Sequence, residues 1–207
     1  ALPALVQMYV NGMKLDIPYY EQLLQDEAAY REEKKLEVIQ YLDKKSVLQD
    51  YKVEGELLIH PRTHGKGKAR IKGFNLGSPT QLGPVLHAVG VPLPEKISEK
   101  TGKVSYSCDK NVLAFFMADF EVLRLYKEFK VAATACSYIE KLINIAKKSP
   151  DGRIHARYNQ MVRTGRLSSS QPNLQQVCAG KKHRKGFIAE QNHLLAVCDY
   201  SQLELRL

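Results

Sequence analysis

Residues 198–207, CDYSQLELRL, carry side chains whose types and spacing could build a metal-dependent site. A short apolar run, Leu194 to Cys198, predicts a buried strand, and Asp199 follows it directly. A carboxylate at the end of a buried strand is presented at the rim of a site, where it can ligate a divalent cation. Two local alternatives remain, since a lone aspartate often caps the next turn and Glu204 suits the first turn of a helix.

A polar segment upstream, TGRLSSSQPNLQQ at residues 164–176, supplies a second group of candidates. It holds one arginine, three serines, one asparagine and three glutamines, with almost no apolar side chains. This composition argues against a place in the core and favours contacts with phosphate oxygens and minor-groove acceptors. A surface loop is the alternative, and for Ser168 and Ser169 local turn bonding is as reasonable as phosphate contact.

Together the two segments resemble the family A DNA polymerases, the group of bacterial DNA polymerase I and its phage and organellar relatives. In that family a TGRLSS…PNLQ segment precedes DYSQ(I/L)ELR by a similar interval, and RKGFIA, Arg184 to Ala189, is similar to a further family element. The earlier chain matches the family's thumb only in outline, entered through NGMKLD. The resemblance implies an α+β fold: a right-hand polymerase fragment with a helical thumb and the first strands of the palm.

The resemblance implies specific roles at the end of the chain. Asp199 matches the first catalytic carboxylate, which binds both divalent ions, and the main-chain carbonyl of Tyr200 is a further ligand. Two Mg²⁺ ions roughly 3.5–4 Å apart activate the primer 3′-hydroxyl and stabilise the leaving pyrophosphate. Glu204 matches the residue that packs against the sugar of the incoming deoxynucleoside triphosphate and excludes a 2′-hydroxyl.

Four further residues match groups that touch primer–template DNA. Arg166 matches the arginine that reaches into the minor groove beside the primer end, and Asn173 and Gln175 match contacting amides. Gln202 is a similar minor-groove candidate. Minor-groove acceptors occupy similar places in every correct base pair, so these donors can check the shape of a pair without reading its sequence.

The sequence also departs from the family's pattern. Gln176 stands where asparagine is usual, residues 177–180 replace an isoleucine-proline continuation, and Lys181 stands near an expected arginine, which leaves the local DNA contacts open. In the family, the second catalytic carboxylate and the fingers helix that holds the triphosphate lie downstream of the DYSQ motif. We therefore expect a fragment of a longer protein that binds DNA but is inactive alone. The alternatives are a non-catalytic duplex-binding module with polymerase-like motifs and an RNA-synthesising relative, against which Glu204 argues.

The charge of the chain favours a polyanionic partner. Net charge is +9 and the isoelectric point is near 9.3, and each neutralised phosphate releases a counterion. A glycine-rich stretch without acids, residues 60–73, concentrates this charge. Its Lys66, Lys68 and Arg70 are candidates for a phosphate-touching arm, and a solvated connector is the alternative.

Cysteine usage and hydropathy predict the compartment. The cysteines form no CxxC pair and no metal-ligand spacing with histidine, which indicates a reduced, intracellular setting. That setting is the cytoplasm for a bacterial or phage protein, with an organelle as the alternative. No apolar run reaches the roughly 18 residues of a membrane span, and the start is not a signal peptide, so no membrane partner is expected.

Helix and strand signals divide the chain into three parts. The first part, residues 1–16, is expected to be the end of a buried helix that leads into the thumb. The second part, residues 17–150, is expected to be the helical thumb, with the basic loop at its tip. The third part, residues 151–207, is expected to be the start of the palm. The expected helices are residues 2–10, Tyr19 to about Tyr51, a short helix within Phe74 to Val89, one capped by Ser107 or Asp109, and Val131 to Lys148. Asn11-Gly12 is expected to stop the first helix, and Asp16-Ile17-Pro18 to begin the second. Expected strands are Ile154 to Tyr158, Phe187–Ile188 and Leu194 to Cys198, and Pro92 to Lys103 is expected to be a loop.

Overall fold

The structure, a computed structural model, describes residues 2–53, 56–57, 73–97, 102, 104–163, 165–178, 180–198 and 201. No helix in these ranges is long and apolar enough to cross a membrane. Several predicted site residues lie outside the described residues: Lys66, Lys68, Arg70, Asp199, Tyr200, Gln202 and Glu204.

Helices and short antiparallel strands alternate along the chain, which confirms the predicted α+β class. The α-helices are α1 (Leu2–Asn11), α2 (Ile17–Lys44), α3 (Pro79–Ala88), α4 (Lys110–Phe115), α5 (Glu121–Lys148) and α6 (Lys181–Lys185). The strands are β1 (Met13–Leu15), β2 (Lys52–Val53), β3 (Glu56–Leu57), β4 (Glu95–Ile97), β5 (Val104–Tyr106), β6 (Arg153–Ile154), β7 (Arg157–Asn159), β8 (Ser168–Ser170) and β9 (Phe187–Ile188). Short 3₁₀ turns cover Gln49–Tyr51 and Leu174–Gln176.

The described residues form two compact units, one from Ala29–Ala133 and one from the residues before and after that range. The Ala29–Ala133 unit has an apolar core whose largest fully buried side chains are Val38, Leu42, Leu48, Phe74, Leu82, Leu86, Val91 and Leu123. Full burial of such side chains contributes roughly 1.5–3 kcal/mol each. The paired strands β2–β3 and β4–β5 belong to this unit.

The other unit is organised around a three-stranded sheet in the order β6-β1-β9. Strand β1 is central and antiparallel to both neighbours, with Met13 opposite Ile154 and Lys14 opposite Ile188. Helices α2 and α5 supply the apolar side chains that pack with this sheet. The buried cluster is Leu15, Tyr20, Leu23, Ile139, Leu142, Ile143, Ala146 and Ile154.

The entry into α2 follows the sequence signals. Helix α1 ends at Asn11, and Gly12 has φ +58°, the left-handed conformation that favours glycine after a helix. The main-chain N–H of Tyr19 donates to Asp16 Oδ1 at 3.0 Å, so Asp16 caps α2 as expected. The expectation that the first helix is buried is wrong here. Val6 and Val10 of α1 are 54% and 61% exposed.

The two long helices differ from their predicted bounds. Helix α2 ends at Lys44 rather than near Tyr51, because the chain turns at Ser46, with φ +56°, and buries Leu48 completely. Helix α5 begins at Glu121 rather than Val131, and its acidic first residue suits the positive end of the helix dipole.

Apolar positions on the helices also deviate from the predicted faces. The sequence predicts an apolar stripe on α2 formed by Leu23, Leu24, Ala28, Leu36, Ile39 and Leu42. Leu36 is nevertheless 52% exposed, while Val38 is fully buried. The apolar face predicted for α4 comprises Val112, Leu113, Phe115, Phe116 and Phe120. Phe115 is 78% exposed. Helix α4 ends at Phe115, so a helical face cannot be continued to Phe120.

Three strand predictions had different outcomes. The strand at Phe187–Ile188 is confirmed, and Ile154 to Tyr158 is divided into β6 and β7 because the two halves pair in different sheets. The predicted loop from Pro92 contains β4, which pairs with β5. The predicted buried strand Leu194 to Cys198 is wrong: its residues form no strand and Leu194 is 95% exposed, since no described strand pairs with it.

Candidate nucleic-acid interface

A β-hairpin and the turn after it carry the predicted DNA-contacting residues that the structure describes. Strands β7 and β8 are antiparallel, with Tyr158 opposite Ser169 and Asn159 opposite Ser168. Arg166 is exposed in the connection between these strands. The polar segment at residues 164–176 thus contains a strand, because its serines pair with β7.

Ser169 lies inside this arrangement and is 5% exposed. Its hydroxyl donates to the carbonyl oxygen of Pro172 at 3.3 Å and accepts the main-chain N–H of Leu174 at 3.2 Å. The expectation that no residue of this polar segment lies in the core is therefore wrong at Ser169. Local bonds occupy its hydroxyl, while the hydroxyl of the half-buried Ser168 makes a longer contact, 3.5 Å, with the carbonyl oxygen of Asn159.

The side chain of Gln175 bridges two main-chain positions of the segment. Its Oε1 accepts the N–H of Ser169 at 3.1 Å, and its Nε2 donates to the carbonyl oxygen of Leu167 at 3.1 Å. Both bonds fix the start of β8, directly after Arg166. Gln175 therefore holds the main chain beside Arg166 in place.

Asn173 caps the 3₁₀ turn and is itself held from α5. Its Oδ1 accepts the N–H of Gln175 at 3.0 Å, and its carbonyl oxygen accepts the hydroxyl of Tyr138 at 2.9 Å. Burial raises the pKa of Tyr138 to about 12, so this hydroxyl stays a donor at neutral pH. The Nδ2 amide of Asn173 has no partner among the described residues and remains available to donate.

A buried contact between Glu27 and His183 lies beneath the short basic helix α6 that follows. Glu27 and His183 are 4% and 6% exposed, and His183 Nε2 lies 3.2 Å from Glu27 Oε1. Lys182 also contacts the Glu27 carboxylate. This contact was not predicted from the sequence, although the run KKHRK at residues 181–185 is a visible sign of concentrated charge.

Nothing in the sequence singled out Tyr138, since a tyrosine in an amphipathic helix is ordinarily a packing residue. The predicted residues Arg166, Ser168, Ser169, Asn173 and Gln175 are brought together by the hairpin and its turn. Within the described ranges, no group of three or more His, Cys, Asp or Glu side chains could hold a metal ion. The predicted ligands Asp199 and Tyr200 lie outside those ranges.

Comparison with known proteins identifies the class to which this α+β chain with an amide-rich hairpin belongs. The family model for DNA polymerase family A matches residues 59–207, and the chain belongs to that family.

Individual relatives agree with this result. The chain is 32% identical over 211 residues to the thermostable DNA polymerase I of Thermus filiformis, covering 98% of the chain and 21% of that protein. It is 34% identical over 180 residues to DNA polymerase I of Streptococcus pneumoniae serotype 4 (83% and 20% covered). With DNA polymerase I of Pseudomonas aeruginosa it shares 38% over 144 residues (65% and 15% covered).

A solved structure is similar as well. The polymerase domain of Pol1 from M. smegmatis, in complex with DNA primer-template and dNTP, matches with a TM-score of 0.55 and 26% identity. The match covers 88% of this chain and 27% of that one. The chain thus spans 15–21% of the length of these three curated relatives.

Proposed function

We propose that this chain is the thumb and the start of the palm of a template-directed DNA polymerase, which adds deoxynucleotides to a primer 3′-end. Residues 17–150 are assigned to the thumb and residues 151–207 to the palm. The observation that carries the proposal is the family match over residues 59–207, which includes the TGRLSS…PNLQ and DYSQ segments.

The hairpin and its turn are proposed to contact the primer–template duplex. Arg166 and the Nδ2 amide of Asn173 are donors, and minor-groove acceptors lie in similar places in every correct pair. Gln175 and Ser169 serve this contact chiefly by fixing the main chain, because their side-chain groups bond within the segment. Direct DNA contacts by Ser168, Ser169, Gln175 and Gln202 stay predictions.

The chemistry of the donor set at the end of the chain fits magnesium. The Asp199 carboxylate and the Tyr200 main-chain carbonyl are hard oxygen ligands of the kind that Mg²⁺ prefers. Two such ions, when bound, would lower the barrier to attack by the primer hydroxyl and neutralise charge on the leaving pyrophosphate. Glu204 would pack against the nucleotide sugar and exclude a 2′-hydroxyl.

Primer extension by the complete protein tests this proposal. We expect Asp199→Ala to reduce kcat at least about 100-fold with Mg²⁺, because a metal-binding carboxylate supplies several kcal/mol of transition-state stabilisation. Asp119→Ala, which removes an exposed carboxylate in the other unit, is the matched control and should leave kcat unchanged. Duplex binding without extension by the unaltered protein would instead support a non-catalytic DNA-binding module.

A further inference from the structure

Helix α6 presents a cationic surface that the assigned interface does not use. Lys181, Arg184 and Lys185 are exposed on this helix, and residues 181–189 contain no acid. We call these three side chains the α6 face. A run of cations is often a merely solvated surface, so the case for a site depends on how the helix is held and on what neutralises it.

Three hydrogen bonds hold the main chain of α6 against the start of α2. The hydroxyls of Tyr19 and Tyr20 donate to the carbonyl oxygens of Lys182 and His183 at 2.8 and 2.5 Å. The N–H of Asp16 donates to the carbonyl oxygen of Gly186 at 2.8 Å. These bonds satisfy carbonyls that the end of a helix otherwise leaves without partners.

Close packing under the helix removes further freedom. A Cβ added at Gly186 would lie 2.0 Å from Cε2 of Tyr20, so the main chain approaches that ring as closely as only glycine allows. Tyr20 is 1% exposed and cannot move aside without disturbing the core. The base of the α6 face is therefore rigid, and its cations cannot move apart by shifting the helix.

The Glu27 carboxylate beneath α6 does not neutralise the positive charge of the α6 face. Glu27 is buried and already contacts Lys182 and His183. Lys181 and Arg184 have no carboxylate partner within the described part of the chain, and Lys185 Nζ lies 5.7 Å from the centroid of the Tyr19 ring. Three cations on a fixed base with no acid beside them repel one another, and a polyanion relieves that repulsion.

We propose that the α6 face binds backbone phosphates of the nucleic acid, as a site separate from the hairpin that carries Arg166. This inference rests on the proposed function, because it takes the polymerase's DNA as the anion. Binding would be independent of sequence, since phosphates carry no base information. The guanidinium and ammonium groups of arginine and lysine neutralise phosphates, and this releases counterions from the nucleic acid.

Salt-dependent binding of a fluorescent primer–template duplex to the full chain tests the site. The triple variant Lys181→Gln, Arg184→Gln, Lys185→Gln should reduce the magnitude of the slope of log affinity against log salt by about 2–3, at roughly 0.9 for each phosphate that is no longer neutralised. Affinity at low salt should fall at least about tenfold. A thermal melt should show that the unaltered chain and the triple variant are both folded, because the three substituted side chains are exposed.

A charge-matched control separates a site from a general effect of net charge. The control variant Lys44→Gln, Lys110→Gln, Lys141→Gln also removes three exposed positive charges, in this case all lysines, from α2, α4 and α5. The inference is overturned if the two triple variants change the slope equally. If the unaltered chain and the complete protein both fail to bind duplex, the proposed function fails as well. If the unaltered chain binds duplex and Arg166→Gln weakens binding while the α6 triple variant does not, the proposed function stands and the α6 site is ruled out.

Discussion

The hydroxyl of Tyr138 donates a 2.9 Å hydrogen bond to the carbonyl oxygen of Asn173, and this bond ties helix α5 to the turn that bears the proposed DNA-contacting amide. Leu174 of the same turn packs against the buried cluster of the sheet, and the bond from Tyr138 adds a polar anchor directly beside it. Positioning by residues outside the motif therefore matters for the interface.

Tyr138→Phe should lower the free energy of unfolding by about 0.5–1.5 kcal/mol, the net value of one hydrogen bond. It should also weaken duplex binding, because the Asn173 main chain loses its anchor. Urea denaturation and fluorescence anisotropy measure the two effects. Tyr158→Phe is the control, since the hydroxyl of the half-buried Tyr158 has no partner among the described residues. Equal effects of the two variants would rule out an anchoring role.

Gln175→Ala should destabilise the chain by about 1–2 kcal/mol, because it removes two side-chain bonds to the main chain. The Ser169 amide should then exchange its hydrogen faster, which hydrogen-exchange mass spectrometry or NMR detects. The neighbouring Gln176→Ala removes an exposed amide with no partner in the described ranges and should change neither quantity. Unaltered exchange at Ser169 in Gln175→Ala would contradict the bridging role.

Arg166→Gln should weaken primer–template binding about fivefold to tenfold, equivalent to about 1–1.4 kcal/mol. The loss should be similar for duplexes of different sequence, because a minor-groove donor meets acceptors in every pair. Fluorescence anisotropy with several duplexes measures it. Arg163→Gln removes another exposed arginine from the same connection and serves as the control. A loss that depends strongly on sequence would argue for base readout instead.

His155 makes stability depend on pH. Its Nδ1 lies 2.7 Å from the carbonyl oxygen of Tyr9 and its Nε2 3.0 Å from Asp151 Oδ2, so both nitrogens face acceptors and the imidazolium satisfies both. The bond to Tyr9, reinforced by Asp151, raises the pKa of His155. Because the pKa is higher in the folded chain, the stabilisation is complete below about pH 6.5 and is lost as pH rises through the folded value.

Denaturation between pH 5.5 and 9, with NMR titration of the imidazole, checks this dependence. His155→Gln should flatten the decline in stability over that range, because glutamine does not titrate. A decline that persists unchanged in His155→Gln would assign the effect to another group.

Local signals predicted the helix boundaries where a cap or a glycine sets them. Asp16 and Gly12 are examples, since each acts through its own main chain. The end of α2 was missed because burial of Leu48 in the core decides it, and that burial depends on the tertiary fold. Strand pairing was missed for the same reason: β4 carries little apolar pattern and forms because β5 lies beside it.

The sequence predicted which residues form the candidate interface, but it did not predict how their side chains are bonded. The motif indicated Arg166, Asn173 and Gln175, yet it did not reveal that the Gln175 side chain is occupied by the main chain. Hydrogen bonds between distant parts of the chain, such as that from Tyr138, leave no periodic signal in a sequence. The roles of Lys66, Lys68 and Arg70 stay predictions.

The central position of β1 has a consequence for synthesis on the ribosome. Lys14 pairs with Ile188, so at roughly 5–20 residues per second β1 waits about 9–35 s for that partner to be made. The residues of Ala29–Ala133 are contiguous and carry their own core, and they can be packed before the sheet closes. During synthesis the Ala29–Ala133 unit can therefore fold before the sheet closes, and β1 is exposed to chaperones until Ile188 has emerged.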